Sequence, residues 1–467
     1  MMKRGWIIVA LLALVALVAA CTPAQQAAVE KAAPTVAAAA KAVAPTVVAE
    51  VKAAAPTVAA AVQQAAPTVA AAAAPKATEA PKAVAAAPKA TEAPKAAAAG
   101  AKNTLIDIAV GDENDNGWNK AHLEATTKAT KERGWANLAY KNLNPGNPAK
   151  PVCESIVAEL VNQAKKDNPG GKVLVRFNSD DFIPCAETAA KQFPDVFVDH
   201  ISGDHVLKGG APTNLTNNMG AMEYTKTLAG CMAANLTKSN VIGYLNGPDN
   251  AETRRFFNAF AWGAQYCGKK LNKDIKAINL ILGFWFPIPG QTNDPQQLLG
   301  QARALNADIF ASGIDTQDAL QFAKSLADKG ENAFSFPYDF LPACSVAPNS
   351  CGGIPYFNWT PEVNYVMDMV EKNQWKSEFK VWDPVWPNVL TDNGTLVGFL
   401  PGPAANDAGK AAVKQMADDY ASGKLKLMQG PINWADGSVW VAEGQAPSYK
   451  DIWYTEKLIA GTQSYGK

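Results

Sequence analysis

The chain has 467 residues, of which 43 are Lys or Arg and 43 are Asp or Glu, so its formal net charge is zero. This length is sufficient for one large hydrophobic core or for two domains. The balanced charge gives no electrostatic reason to expect binding to nucleic acid. Aromatic residues are plentiful, with 12 Trp, 17 Phe and 11 Tyr, and we expect most of them to pack in a core.

The first twenty residues have the pattern of a bacterial secretory signal. Lys3 and Arg4 precede an apolar run over 6–20, which is too short to count on as a membrane-spanning helix. Small residues then precede Cys21, an arrangement that resembles the bacterial lipobox, whose cysteine receives lipid after cleavage. We predict a signal peptide at 1–20, lipidation of Cys21 and a location at the cell membrane, facing the extracytoplasmic side. The alternative, an uncleaved anchor with an incidental cysteine, leaves the protein on the same side.

Residues 22–101 have low complexity and consist mainly of Ala, Pro, Lys, Thr and Val. The motif APTV recurs with a proline every eleven residues at Pro34, Pro45, Pro56 and Pro67, and PKATEAPKA occurs twice. Alanine favours helix, but the recurring proline interrupts the hydrogen-bond ladder. Large apolar side chains are almost absent. We therefore predict that 21–101 is the lipidated cysteine followed by a disordered, semi-extended linker, and not a repeat domain.

From Asn103 onward, short β-prone runs alternate with helical patterns, which predicts an α/β fold with parallel sheets and helices on both faces. A helical pattern follows the first strand and loop, with apolar or small residues at 121, 125, 126 and 129. The predicted strands are 104–110, 138–142, 172–177, 196–201, 240–245, 276–284, 308–312, 333–336, 354–357 and 396–400. The predicted helices are 154–166, 181–192, 219–236, 251–268, 295–305, 316–329, 361–373 and 406–423.

So many strands exceed one comfortable core, and we expect residues 102–467 to form two similar lobes. Near Lys238 the sequence TKSNVIGYLNG starts again with a strand followed by a Gly-Pro loop, which marks the predicted start of the second lobe. The chain is expected to cross between the lobes.

The first strand–loop–helix unit, residues 105–129, is the one on which the functional prediction is centred. In α/β sheets, ligands bind beyond the carboxyl ends of the strands. The loop GDENDNGWN brings carboxylates, an amide and an indole ring to that edge, and later loops repeat the combination of aromatic, Asp and Asn residues. A flat ring beside hydrogen-bonding groups suits a flat polar heterocycle. Asp181 and Asp315 are also well placed to cap the helices that follow them.

Six cysteines remain once Cys21 is set aside, an even number that suits an oxidising compartment. Six cysteines allow many pairings, and the proximity of the predicted elements favours three of them. The chain has no CxxC motif and only three histidines, so no metal site is predicted. The favoured disulfides are Cys153–Cys185, Cys231–Cys267 and Cys344–Cys351.

Several motifs that would indicate other chemistry are absent or incomplete. DENDNG matches the start of an EF-hand loop, but the twelfth position is Leu123 where a bidentate Glu is required, and a strand precedes the loop. The sequence contains no GxxxxGK[ST], no GxGxxG after the first strand, no HExxH and no GxSxG. No paired acid and base and no activated nucleophile are evident. We predict that the protein is not an enzyme and needs no cofactor.

Taken together, the motifs of the mature part resemble the basic membrane protein (BMP) family of substrate-binding lipoproteins for ABC importers. GDENDNGWNKAH resembles the family's GD..GW...H loop, and NNMGAMEYTKTLAGCMAA before TKSNVIGYLNG resembles its entry into the second lobe. FNAFAWGAQ, GFWFPIPGQTNDPQQLLGQARALNADIFASGIDT, FNWTP and MQGPI resemble further family motifs, from about residue 104 to the C-terminus. The chain departs from the family at Pro287-Ile288-Pro289, where an acidic residue is usual, and in the cysteine-containing loop 338–353.

The resemblance implies the type I periplasmic binding protein fold: two Rossmann-like lobes joined by hinge crossovers around a central ligand cleft. It also implies where the ligand is held. Trp118 and Phe177 would stack on a base from the first lobe, and Trp285 or Phe286 from the second. Asp112, Asn119 and Asp315 would bind ring nitrogens or ribose hydroxyls, Asp339 and Trp359 would close the pocket, and His122 is expected to face the ligand.

The leading functional hypothesis is a monomeric substrate-binding lipoprotein of an ABC importer. It would capture a purine nucleoside or nucleobase by lobe closure and deliver it to a membrane permease, with the lipid as its contact to the membrane. One alternative keeps the fold and changes the ligand to a sugar, an amino acid or another small polar solute. A second is an exported α/β enzyme that acts on nucleosides. A third is a surface interaction protein that uses the long linker to reach outward.

Overall fold

The computed structural model describes residues 101–145 and 150–466, which all belong to one compact unit. The predicted signal segment, Cys21 and the predicted linker lie outside the described residues. Within the described ranges, no helix is long and apolar enough to cross a membrane.

Two parallel sheets organise the described part of the chain. The first sheet has six strands in the order β2-β1-β3-β4-β5-β11, and the second has five in the order β15-β7-β6-β8-β9. Every pair of neighbours in both sheets is parallel. Two short antiparallel pairs, β10 with β12 and β13 with β14, complete the strands. The strands are β1 (Thr104–Ile108), β2 (Ala136–Tyr140), β3 (Val173–Phe177), β4 (Phe197–Ile201), β5 (Leu215–Gly220), β6 (Val241–Asn246), β7 (Lys276–Ile281), β8 (Ile309–Gly313), β9 (Phe334–Phe336), β10 (Gly353–Phe357), β11 (Phe379–Trp382), β12 (Val397–Pro401), β13 (Ile432–Asn433), β14 (Val439–Val441) and β15 (Thr462–Tyr465).

Helices connect most of the parallel strands and cover the sheets. Central strands such as β1, β3 and β8 are buried along their whole length, as expected where helices pack on both faces of a parallel sheet. The predicted α/β fold class is therefore confirmed. The helices are α1 (Trp118–Arg133), α2 (Cys153–Asp167), α3 (Ile183–Gln192), α4 (His205–Lys208), α5 (Met222–Leu236), α6 (Ala251–Lys270), α7 (Pro295–Ala304), α8 (Asp318–Ala327), α9 (Thr360–Glu371), α10 (Asp407–Ala421) and α11 (Tyr449–Trp453).

The chain passes between the two sheets at three places. It leaves the first sheet after β5, returns to it between β10 and α9, and leaves it again before β12. The amide of Asn358 donates to the carbonyl of Leu396 (2.7 Å), so two of the crossing segments lie side by side. We call residues 101–220 and 358–396 the first lobe, and residues 221–357 and 397–466 the second lobe. The first crossing lies ahead of Lys238, because α5 packs against α6 of the second lobe.

Small residues allow α5 and α6 to approach closely. A β-carbon at Gly230 would lie 2.1 Å from the carbonyl oxygen of Phe260, and one at Gly263 would lie 2.2 Å from that of Thr227. A disulfide between Cys231 and Cys267 joins the same two helices. The other two disulfides, Cys153–Cys185 and Cys344–Cys351, also have the predicted pairing.

The ten predicted strands and the predicted helices are all present, with shifts of a few residues at their ends. The sequence did not indicate β5, although its residues are all buried. Its polar side chains are satisfied inside the fold, since Asn217 Nδ2 donates to the carbonyl of His200 (3.1 Å) and Asn218 Nδ2 to Asp199 Oδ1 (2.8 Å). A strand of this kind lacks the apolar pattern by which buried strands are recognised.

Candidate functional site

Asp115 organises the loop between β1 and α1. Its carboxylate accepts hydrogen bonds from the backbone amides of Gly117 (2.9 Å), Asn119 (2.9 Å) and Lys120 (3.2 Å). It also accepts from the Asn119 side chain at 2.9 Å. These amides belong to the first turn of the helix, where they have no partner within the helix, and a carboxylate is also favoured there by the helix dipole. Asp115 therefore fixes how α1 begins and where Trp118 and Asn119 are placed.

Asn119 is fully buried and joins three loops. Its side-chain oxygen accepts from the Gly111 amide (3.0 Å) and from Asn178 Nδ2 (2.9 Å), both in the first lobe. Its side-chain nitrogen is 3.3 Å from Asp315 Oδ2 in the second lobe. The residue thus holds the carboxyl ends of β1 and β3 together and reaches across to the other lobe.

A small cavity lies between the lobes, at the carboxyl ends of the strands. Its volume, counted as the space open to the centre of a water-sized sphere, is about 20 Å³. This volume is enough for one or two water molecules. A nucleobase is larger, so a solute of that size can enter only if the lobes part or the lining side chains move. The first lobe contributes Val110, Trp118, Ser179, Asp180 and Ser202 to the lining. The second lobe contributes Glu252, Phe256, Trp285, Gly313, Asp315 and Tyr338.

Direct contacts close the lobes on each other beside this cavity. The indole nitrogen of Trp285 donates to Asp181 Oδ2 at 2.7 Å, and Gln317 Nε2 donates to the carbonyl of Asn116 at 2.8 Å. Asp315 contacts the first lobe through Asn119, as described above. The conformation is therefore the closed one, in which side chains of both lobes meet around the cavity.

The cavity is acidic. Burial, together with the neighbouring carboxylates of Asp115 and Asp339, raises the pKa of Asp315 well above its ordinary value. Burial and the nearby Glu252 and Asp181 likewise raise the pKa of Asp180. Burial also raises the pKa of Glu252, although Arg255 opposes that shift. Carboxylates accept hydrogen bonds, so the lining is complementary to a solute rich in N–H or O–H groups.

Trp118, Trp285 and Asp315, three of the residues that sequence predicts for the site, line this one cavity. Asn119 borders it through its bond to Asp315. Phe286 is half-buried beside the first-lobe loop, where a β-carbon at Gly111 would lie 3.2 Å from its ring. The role of these residues in binding stays a prediction.

Five other predicted residues do not line this cavity, and their role in binding stays a prediction. Asp112 is exposed and accepts from the amide and side chain of Asn114, so it stabilises a turn. Phe177 is fully buried in the first lobe and packs against Phe182, with ring centroids 5.7 Å apart. At the end of β3 its side chain belongs to the hydrophobic core between sheet and helices. The remaining three are His122, Asp339 and Trp359.

His122 and Trp359 form the packing layer behind Trp118. Their rings stack at 4.1 Å, and each has its centroid within 5.3 Å of the Trp118 ring. Both are fully buried, and His122 Nδ1 lies 2.8 Å from the guanidinium of Arg176. Burial and this cation lower the pKa of His122 well below its ordinary value, so the ring is neutral. These residues position Trp118 and do not reach the cavity.

Asp339 is also fully buried, at the hinge. Its backbone bonds to β10, with its carbonyl accepting from the Phe357 amide at 3.0 Å. The neighbouring cation is Lys226, whose charge opposes the rise in the pKa of Asp339 that burial causes. Asp181 and Asp315 do not cap the following helices either, because α3 and α8 begin after Phe182 and Gln317. Both aspartates are occupied by contacts between the lobes.

Sequence reasoning missed Asp180, Ser202, Glu252, Phe256 and Tyr338. Asp180 and Tyr338 lie in loops whose composition indicated the site, where Phe177 and Asp339 were predicted. Glu252 and Phe256 come from the first turns of α6, which follow the Asn246-Gly247-Pro248 loop. The position of α6 at the cavity is a consequence of lobe closure, which leaves no pattern in the sequence.

Larger hollows exist on the outer surface, and two of them are each lined by a single lobe. By the same measure as above, one of about 570 Å³ lies beside Trp262 in the second lobe. Another of about 690 Å³ lies along α1 in the first lobe. Closure of the lobes could not enclose a solute at either place. A third hollow, of about 600 Å³, is lined by both lobes beside the crossing segments, around Trp359. The smaller cavity is the candidate site because it lies at the carboxyl ends of the strands and combines Trp118, Trp285 and Asp315 from both lobes.

Comparisons with known proteins agree with this fold. Residues 102–280 match the family model Bmp, described as ABC transporter substrate-binding protein PnrA-like. A purine-binding protein of Brucella abortus (strain 2308) is 24% identical over 359 residues, which cover 76% of this chain and 91% of the relative. A putative ABC transporter glucose-binding protein of Haloferax volcanii is 19% identical over 348 residues, 74% of this chain and 77% of the relative.

Among solved structures, an ABC transporter system solute-binding protein from Aeropyrum pernix K1 has a similar fold. It aligns with a TM-score of 0.55 and 14% identity, covering 70% of this chain and 92% of that protein. This similarity confirms the type I periplasmic binding protein fold that the resemblance implied. The sequence resemblance is confirmed as well, since residues 102–280 match the Bmp family model of PnrA-like ABC transporter substrate-binding proteins.

Proposed function

We propose that the protein captures a purine nucleoside or nucleobase between its lobes and presents it to a membrane permease. The observation that carries this proposal is the composition of the cavity, where Trp118 and Trp285 come from opposite lobes and stand beside Asp180, Glu252 and Asp315. Aromatic rings provide flat apolar surfaces for a heterocycle, and stacked ring pairs contribute about 0.5–1.5 kcal/mol beyond burial. The carboxylates accept from exocyclic amino groups, ring N–H groups or ribose hydroxyls.

The relative in Brucella abortus, a purine-binding protein, supports this choice of ligand. The relative in Haloferax volcanii supports a sugar as the second candidate. Sugar sites also combine aromatic rings with carboxylates, so the composition of the cavity alone does not separate the two. The ligand class is decided by experiment.

The proposed importer function requires the protein to be outside the cytoplasm and held at the membrane. The signal pattern at 1–20 and the lipobox-like end before Cys21 support export and lipidation. Mass spectrometry of the N-terminal peptide from membrane fractions tests this step. A diacylated Cys21 is expected, and a retained Met1 without lipid would contradict it.

A thermal-shift screen of the full-length protein tests the ligand. Nucleobases, nucleosides, sugars and amino acids are compared at a fixed concentration. A ligand at a hundred times its dissociation constant adds about 2.7 kcal/mol to the free energy of unfolding. We expect the largest shift from a purine compound. A shift from sugars alone would replace the purine by a sugar, and product formation in a parallel chromatographic assay of nucleosides would indicate the exported enzyme.

A further inference from the structure

The acidic groups of the cavity come from both lobes and are only partly compensated. Asp180 stands in the first lobe, opposite Glu252 and Asp315 in the second. Among the described residues, no hydrogen-bond donor contacts the Asp180 carboxylate, and Asp315 receives only the long 3.3 Å contact from Asn119. Closure of the lobes thus brings like charges together around a small volume.

Of the nearest cations, Arg255 forms an ion pair with Glu252 alone among the three cavity carboxylates, and Lys226 contacts none of them. Arg255 bonds to Glu223 and Glu252, each at 2.9 Å, and its guanidinium lies over the Trp453 ring at 4.1 Å. Lys226 donates to the carbonyl of Ser312 at 2.9 Å and lies over the Tyr338 ring. Neither cation lines the cavity. The charged groups that act on its three carboxylates are Asp115, Asp181, Asp204, Arg255 and Asp339, and Lys226 acts through Asp339.

Four aromatic rings share the lining with these carboxylates: Trp118, Phe256, Trp285 and Tyr338. The faces of aromatic rings attract cations, most strongly for Trp, and the attraction grows when the cation is removed from water. Rings and carboxylates together therefore favour a positive charge more strongly than the rings alone would.

We infer that the solute is bound as a cation, that is, a planar heterocycle that carries a fixed positive charge or takes up a proton when it binds. This inference rests on the proposed function, because it assumes that the cavity takes a heterocycle. It narrows the proposed ligand class to solutes that are positively charged when bound, because their charge compensates the cavity carboxylates when the lobes close.

The protonation of the cavity supports the inference. Burial and neighbouring carboxylates, Glu252 and Asp181 among them, raise the pKa of Asp180 and of Asp315. Closing the cavity when it is empty or holds a neutral solute therefore favours proton uptake. A fixed cation replaces that proton. The complex with a neutral heterocycle is expected to hold about one proton more than the complex with a cation.

Two methylated nucleosides of equal size separate charge from shape. 1-Methyladenosine is a cation at pH 7.5, and N6-methyladenosine is neutral. Isothermal titration calorimetry of the full-length protein should give the cation an at least tenfold lower Kd at pH 7.5. The ratio should shrink towards one at pH 5.5, and titration in two buffers with different ionisation enthalpies should reveal proton uptake with the neutral compound. Equal affinity at both pH values, or a preference for the neutral compound, would overturn the inference.

Asp180→Asn tests whether the carboxylate that the first lobe contributes to the cavity causes the preference for a cation. The variant keeps the shape of the side chain and removes its charge, so the preference for the cation should fall at least fivefold. Asp274→Asn is the matched control, because Asp274 pairs with Lys276 on the surface and is 82% exposed. A preference that survives in Asp180→Asn would overturn the assignment.

Failure of the proposed function gives a different result. If neither nucleoside nor any free purine base binds, the proposed ligand class is wrong, and choline then tests the charge alone. Binding of choline that weakens in Asp180→Asn would keep the preference for a cation without the purine. Absence of binding by choline as well would overturn both.

Discussion

The backbone of Gly117 in the first lobe lies directly against the main-chain carbonyl of Asp315 in the second lobe. A β-carbon at residue 117 would stand 2.0 Å from that oxygen. The missing side chain of Gly117 therefore leaves the space that this contact between the lobes occupies. The close approach exists only while the lobes are together.

Gly117→Ala is therefore expected to oppose lobe closure while each lobe stays folded. The added methyl group cannot be accommodated against main-chain atoms, so the two loops must separate. We expect at least a tenfold weaker affinity for the best ligand, measured by calorimetry. The melting temperature of the ligand-free protein should change little, because the open form carries no clash.

Gly300→Ala is the control for this substitution. Gly300 lies in α7, and a β-carbon there would have nothing within 4 Å. Alanine in place of glycine inside a helix stabilises it by about 0.5–1 kcal/mol. This variant should bind as the wild type does. Normal ligand affinity in Gly117→Ala would mean that ligand binding does not require the observed contact.

Trp285→Ala should lower ligand affinity by about tenfold or more. The substitution removes an aromatic ring from the cavity lining and the hydrogen bond from Trp285 to Asp181. Loss of the partner of a buried hydrogen-bonding group costs about 1–3 kcal/mol. The readout is the thermal shift produced by the best ligand. Trp434→Ala is the control, because Trp434 is half-buried on Trp440 outside the cavity. An unchanged thermal shift in Trp285→Ala would remove this ring from the site.

Trp118→Ala is expected to lose the thermal shift as well, but at a larger cost in stability. The Trp118 ring contacts Phe357 and Trp359 at 5.3 Å, and its nitrogen donates to the carbonyl of Asn178 at 2.5 Å. Truncation of such a buried aromatic residue typically costs about 3–5 kcal/mol. Denaturant titration measures this loss, and a cost below about 1 kcal/mol would contradict the packing role.

The fold was predictable because its signals are local. Apolar runs at β1, β3 and β8 and helix patterns at α6 and α10 can each be recognised within the element's own residues, twenty at most. The loops of the site were predictable for the same reason, because they follow those strands. β5 and β11 could not be predicted in this way, because their pairing includes polar side-chain hydrogen bonds such as that from Thr216 to the carbonyl of Glu378.

Which residues line the site depends on the orientation of each side chain, and the sequence does not determine that orientation locally. Phe177 and Asp180 are three residues apart, yet the first lies in the core and the second lines the cavity. Asp112 and Asp115 are similarly close, yet only Asp115 holds the start of α1. The family resemblance could place the loops, but the orientation of each side chain follows from tertiary packing.

The disulfides should differ in how much they stabilise the fold. Replacement of both Cys231 and Cys267 by Ala opens a loop whose ends are 36 residues apart in the sequence. Replacement of both Cys344 and Cys351 by Ala opens a loop whose ends are only 7 residues apart. The loop-entropy relation then gives a loss of about 4 kcal/mol for the first pair and about 2 kcal/mol for the second. Denaturant titration of the two double variants measures both losses. The reverse order would show that loop closure does not dominate.

Arg176 is the counterion of a fully buried group of acids beneath the first sheet. Its guanidinium lies 2.6 Å from Glu362, 3.3 Å from Asp199 and 3.9 Å from Asp107, and all four side chains are fully buried. Arg176→Met leaves these carboxylates without their cation. Removing one partner of such a buried pair costs about 3–5 kcal/mol.

The loss in Arg176→Met should depend on pH in a definite direction. Burial raises the pKa of Asp107, Asp199 and Glu362, and removal of the cation raises these values further. Native carboxyls with a raised pKa hold protons that the unfolded chain releases above pH 4–5, so stability falls as the pH rises towards the native pKa. The deficit of Arg176→Met, measured by denaturant titration, should therefore be smaller at pH 5 than at pH 7.5.

Arg254→Met provides the comparison for Arg176→Met. Arg254 pairs with Asp249 near the surface, 2.8 Å away. Exposed pairs contribute about 0–1 kcal/mol, so its loss should be small and independent of pH over this range. A deficit of Arg176→Met that is constant, or larger at pH 5, would mean that the buried acids do not take up protons when their cation is removed. The carboxylates would then be stabilised by hydrogen bonds such as that from Thr126 to Asp107 at 2.7 Å, and not by the guanidinium.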